Sequence, residues 1–183
     1  MEQSSDHWEP KDLLDRINQI IGSDSQIYSI ELRGIYGSSI VIDELIDCLG
    51  SRIEEGTLER LILEILPHKN LTELTSHVFE ILASKCTNLR KFELNGTQLI
   101  KSDKARKVLH EFLISVIAFC DHENLTDLKL IKVASEKSEV INLLQSLTSC
   151  DLRNLRILAI DRMPNWFKDE DDVFQMLLVF IRM

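Results

Sequence analysis

The sequence predicts an α/β solenoid of about five strand–helix repeats with consecutive strands parallel. Two observations carry this. A short figure with apolar residues at its first, fourth and sixth positions occurs five times, at Ile27-x-x-Ile30-x-Leu32, Leu58-x-x-Leu61-x-Leu63, Leu89-x-x-Phe92-x-Leu94, Leu125-x-x-Leu128-x-Leu130 and Leu155-x-x-Leu158-x-Ile160. Its copies begin 31, 31, 36 and 30 residues apart, and self-similarity at a period of roughly 20–50 residues marks a stack of repeats. The second observation is that each copy is followed by apolar residues at helical spacing. A helix on every connection leaves parallel neighbours as the natural arrangement.

Residues 1–25 read as a tail and a capping helix, and residues 26–183 as the repeat domain. Pro10 suits a first helical turn and Gly22 a helix stop. Between them Leu13, Leu14, Ile17, Ile20 and Ile21 form one apolar stripe. A repeat stack needs an atypical unit over its first open face, and this helix with Trp8 fits that role. The segment lacks the proline–leucine opening expected of an F-box helix.

The later helices follow in order. Ile40, Ile42, Leu45, Ile46 and Leu49 predict the first, and Leu71, Leu74, Val78, Ile81 and Leu82 the second. The longest stripe runs through Ala105, Val108, Leu109, Phe112, Leu113, Val116, Ile117 and Cys120, and the next through Val140, Ile141, Leu144 and Leu147. A last helix spans 171–182. Asp169, Glu170, Asp171 and Asp172 suit its positive N-terminal end and lack the spaced oxygen ligands of a calcium loop. That helix is apolar on nearly every side. It is expected to be covered by further chain or by a second subunit.

Composition narrows the function. With 30 acidic against 21 basic residues the net charge is −9, and no basic stripe offers itself to a phosphate backbone. Nucleic acid is therefore not an expected partner. No apolar run is long enough to span a bilayer, and Met1–Asp12 lacks the features of a signal peptide. Four cysteines without a C-x-x-C pair argue against zinc. A reduced cytoplasmic or nuclear setting is the expectation.

No constellation points to catalysis. Cys86, Cys120 and Cys150 fall just before strands and read as small buried hydrophobes. Cys120-Asp121-His122 places a thiol near a base, but a working dyad converges in space with an orienting third group. His7, His68, His77 and His110 have no metal-ligand spacing, and His77 and His110 are expected near the polar edges of their helices. Gly34 and Gly37 belong to a turn, since no Lys-Ser/Thr follows. Trp166 and Phe167 either tuck into the core or anchor a partner. No catalytic, cofactor or metal residue is assigned.

Cys86-Thr87-Asn88-Leu89-Arg90-Lys91-Phe92-Glu93-Leu94-Asn95-Gly96 and Asn154-Leu155-Arg156-Ile157-Leu158-Ala159-Ile160 resemble the leucine-rich repeat family, in its longer, helix-containing, ribonuclease-inhibitor-like form. The resemblance implies a right-handed βα superhelix with a curved parallel sheet and helices on the convex side. It implies a non-catalytic scaffold for protein–protein interaction. An adaptor of a ubiquitin-ligase complex and a small-GTPase regulator of the Ran GTPase-activating type are alternatives within that resemblance. The family's polar ninth position is here Ile35, Leu66, Thr97, Val133 and Met163, so its bridging ladder is expected to be missing.

Side chains alternate along a strand, which predicts the surface opposite the helices. Its rows are Ser29, Arg60, Lys91, Asp127, Ile157; Glu31, Ile62, Glu93, Lys129, Ala159; and Arg33, Glu64, Asn95, Ile131, Asp161. Mixed charge around a small apolar centre suits a protein or peptide partner. The expected contact residues are Arg60, Ile62, Lys91, Glu93, Lys129, Ile131, Ile157 and Asp161, with the open C-terminal end as a second place to bind.

Overall fold

A computed structural model describes residues 26–120, 123–134, 136–150 and 152–161. The expected capping helix, the His122 base, the Trp166–Phe167 loop and the last helix lie outside these residues. The described chain alternates β1 (Ser29–Ile35), α1 (Ser39–Arg52), β2 (Arg60–Ile65), α2 (Ser76–Ser84), β3 (Lys91–Asn95), α3 (Asp103–Phe119), β4 (Asp127–Ile131), α4 (Lys137–Ser149) and β5 (Ile157–Asp161). The five strands form one sheet in sequence order, and every neighbouring pair is parallel.

Burial follows the alternation. Leu61, Leu63, Phe92, Leu94, Leu128 and Leu130 join the helix stripes in one continuous core. Leu63, Leu94 and Leu130 are cross-strand neighbours and none is exposed. Fully burying a side chain of this size stabilises by about 1.5–3 kcal/mol, so these rows hold the strands in register. Phe112 of α3 meets Phe79 of α2 edge-on at 5.3 Å and Phe92 of β3 at 6.2 Å, locking two helices to the sheet.

The strands begin two residues later than the first apolar position of each figure. Leu58, Leu89 and Leu125 sit in the approach to the strand and are buried there. That approach is built the same way before β2, β3, β4 and β5. The carbonyl of Tyr28 accepts from the amides of Glu59 and Arg60, that of Glu59 from Arg90 and Lys91, that of Arg90 from Thr126 and Asp127, and that of Thr126 from Arg156 and Ile157. Asparagines add a side-chain ladder. Asn88 donates to the Gly56 carbonyl at 3.1 Å, Asn124 to the Asn88 side chain at 2.9 Å and Asn154 to the Glu123 carbonyl at 2.8 Å.

Two expectations are corrected. Leu71 and Leu74 are buried but precede α2 rather than belonging to it. Ser39 Oγ accepts from the Thr72 and Glu73 amides, and the Asp43 carboxylate accepts from the Thr75 amide and hydroxyl. Both hold that segment out of the helix by satisfying its amides from α1. The bridging ladder is also not wholly missing. Thr97 is buried and its hydroxyl donates to the Val133 carbonyl at 2.9 Å. Gly34, Gly96 and Lys132 all take positive φ where β1, β3 and β4 end, so a left-handed residue turns the chain there toward the next helix.

Candidate interaction surface

The face of the sheet away from the helices carries the alternate residues. The first expected row is observed as Ser29, Arg60, Lys91, Asp127 and Ile157, and the second as Glu31, Ile62, Glu93, Lys129 and Ala159. Glu64, Asn95, Ile131 and Asp161 form a third. Arg33 does not join that row. The β1–β2 register slips between Leu32 and Ile35, where Gly34 has φ +68°. A bulge of this kind adds residues to one strand and re-aims a side chain.

The re-aimed Arg33 changes the chemistry of the face. Its Nη1 donates to Glu93 Oε1 on β3 at 2.9 Å and its Nε to Glu31 Oε1 at 2.6 Å. Arg60 Nη2 meets the other Glu31 oxygen at 2.7 Å. The hydrogen bonds to Glu93 and then to Glu31 hold the Arg33 guanidinium protonated well beyond its usual range. The bond from Arg33 holds the Glu31 carboxyl below the ordinary carboxylate range, with the charges of Arg33, Arg60 and Lys91 acting in the same direction. To reach β3 from β1, the Arg33 side chain must cross β2, where Ile62 occupies the same row. Ile62 is accordingly 0% exposed and Glu93 5%. Both were expected at the partner surface; Ile62 instead lies beneath this network and Glu93 is a buried member of it.

The β4–β5 half is different. Ile157 is 44% exposed, and Ile131, Lys129 and Ala159 are half-buried. No salt bridge to Lys91 or Lys129 is present among the described residues. The expected residues therefore divide. Arg60 and Glu93 serve the network and Ile62 lies under it, whereas Lys91, Lys129, Ile131 and Ile157 remain at the surface. Asp161 stands beside Ile131 in register.

Among the described residues the other candidate chemistry does not assemble. No disulfide joins Cys48, Cys86, Cys120 or Cys150. Cys86 Sγ donates to the Leu82 carbonyl and Cys120 Sγ to the Ile117 carbonyl, as core residues do. Burial, then the neighbouring Cys120, pushes the Cys86 thiol far up, away from the nucleophilic thiolate. No cluster of His, Cys, Asp or Glu suited to a metal ion occurs among the described residues. No described helix is long and apolar enough to cross a membrane. No protein-family model matches the chain, and comparison with curated proteins and with solved structures finds no match.

Proposed function

We propose that the chain is a leucine-rich repeat solenoid that acts as a non-catalytic scaffold for a protein partner. The partner binds the β4–β5 half of the open sheet face. The observation that carries this reading is the contrast between the two halves of one face. Around Ile62 the charges pair with each other and cover the apolar side chain. On β4 and β5, Ile157 beside Asp127 at one end and Ile131 beside Asp161 at the other stay at the surface, with Lys129 and Ala159 between them. An apolar centre inside a polar rim is the anatomy of a protein interface, and exposed aliphatic side chains on a rigid sheet lose little freedom on binding. The repeat spacing supports the family assignment.

The test is quantitative affinity capture with the full chain and with the Ile131→Asp, Ile157→Asp double variant, read by mass spectrometry. A partner enriched by the first and lost at least tenfold by the second supports the reading. Equal capture by both would move the site off this face.

A further inference from the structure

Asn95-Gly96 is the one Asn-Gly pair in the sequence. Glycine has no side chain to shield its amide nitrogen, so this pair is the most open to spontaneous deamidation. In that reaction the Gly96 nitrogen loses its proton and attacks Cγ of Asn95. The new N–C bond closes a succinimide ring, the bond from Cγ to Nδ2 breaks, and ammonia leaves. Water then opens the ring at one of its two carbonyls. The product is an aspartate, or an isoaspartate whose backbone is one methylene longer.

The fold holds the two reacting groups on different neighbours. Asn95 ends β3 and stands between Glu64 of β2 and Ile131 of β4. Its Nδ2 donates to Glu64 Oε1 at 3.0 Å. The Gly96 amide donates to the Ile131 carbonyl at 3.0 Å, and Gly96 is buried. The carboxamide is thus drawn toward β2, and the proton that must be lost is held by β4. Cyclisation breaks both bonds. An amide held in this way becomes reactive when its segment opens.

The product does not fit where Asn95 was. Glu64 is held at both oxygens, since its Oε2 accepts from the Gly34 amide at 3.1 Å. No salt bridge among the described residues involves Glu64. A carboxylate at position 95 would replace the donor on Glu64 Oε1 with a second anion, and like charges on cross-strand neighbours are destabilising. An isoaspartate would also shift Gly96, which has no room to move toward the Ile65 carbonyl.

We propose that Asn95 is a deamidation site that the native fold keeps closed, and that its product marks the chain one way by setting a carboxylate against Glu64. The test follows Asn95 in the full chain by peptide mass spectrometry. Samples are incubated at mildly alkaline pH in urea concentrations that span the unfolding transition. Deamidation at Asn95 should be at least tenfold faster in the unfolded chain than in the native one. Asn95→Asp, which carries the product's charge on an ordinary backbone, should lower the urea midpoint. Adding Glu64→Gln should restore most of that loss when compared with Glu64→Gln alone, because the carboxamide can donate to the new carboxylate and still accept from Gly34. Equal rates in the folded and unfolded chain would overturn the closed site. A wild-type midpoint in Asn95→Asp, or a loss that Glu64→Gln leaves untouched, would overturn the one-way mark.

Discussion

Gly96→Ala tests how neighbouring strand–helix units are fastened where the strands end. Gly96 has φ +93° and ψ −3°, and its amide donates to the Ile131 carbonyl of the next repeat at 3.0 Å. A methyl group placed there would lie 2.3 Å from the Ile65 carbonyl oxygen of the preceding repeat. That obstacle is backbone within the sheet and cannot rotate away. Holding a non-glycine residue in the left-handed region costs about 1–2 kcal/mol. Overpacking against a fixed neighbour adds about 1–3 kcal/mol. Restricting the unfolded chain offsets about 0.4–1 kcal/mol. The net expectation is a loss of about 2–4 kcal/mol. Gly34→Ala is the matched control. It shares the positive φ, but its nearest non-neighbour atom is Leu66 Cδ1 at 3.8 Å, so only the conformational part applies and the loss stays near about 1 kcal/mol. Urea unfolding followed by circular dichroism measures both. A Gly96→Ala loss no larger than that of Gly34→Ala would refute the close approach of the two repeats.

Leu94→Ala should cost about 2–5 kcal/mol in the same assay, because it opens a cavity between Leu63 and Leu130; a loss below about 0.5 kcal/mol would mean the register is wrong. Arg33→Ala should lower the urea midpoint more than Arg60→Ala does, since it deprives the buried Glu93 of its cation, and adding Glu93→Gln should restore most of the loss. His110 gives a pH signature. Its folded value lies below the ordinary 6.5, so the unfolded state binds the proton more readily, and stability that is full above about pH 6.5 falls as pH drops toward the folded value. His110→Phe should flatten that fall; an unchanged pH slope would show that the ring is not withdrawn from water.

The strands, their order and most of their register were legible because alternation and a near-constant repeat length leave little choice of pairing. The strand starts were not legible, because Leu58, Leu89 and Leu125 are buried two residues before the ladder begins and an apolar pattern alone does not distinguish approach from strand. Leu71 and Leu74 mimic helical spacing, but whether their segment is helical depends on Ser39 and Asp43, about a repeat earlier in the chain. The sealed half of the sheet face was not legible. It depends on a slip at Gly34 that sends Arg33 across β2 to Glu93, a contact between residues 60 apart in sequence. Gly34 was visible as a turn residue and gave no sign of the side chain it would redirect. His110 was expected near a polar edge, and both of its ring nitrogens are instead buried, which no local pattern encodes.

The central claim is that the β4–β5 half of the open sheet face carries the binding energy. Its most direct test is the dissociation constant of the captured partner, measured by calorimetry against three chains. These are the wild type, the Ile131→Asp, Ile157→Asp double variant, and Ile40→Asp, which alters a 69%-exposed side chain on α1. Placing a carboxylate at each position should weaken binding at least tenfold, about 1.4 kcal/mol or more. The chain should still fold but with its melting temperature lowered, since the new carboxylates stand opposite Asp161 and Asp127 across the β4–β5 pair. Binding by Ile40→Asp should be unchanged. Wild-type affinity in the double variant, or a loss confined to Ile40→Asp, would contradict the account.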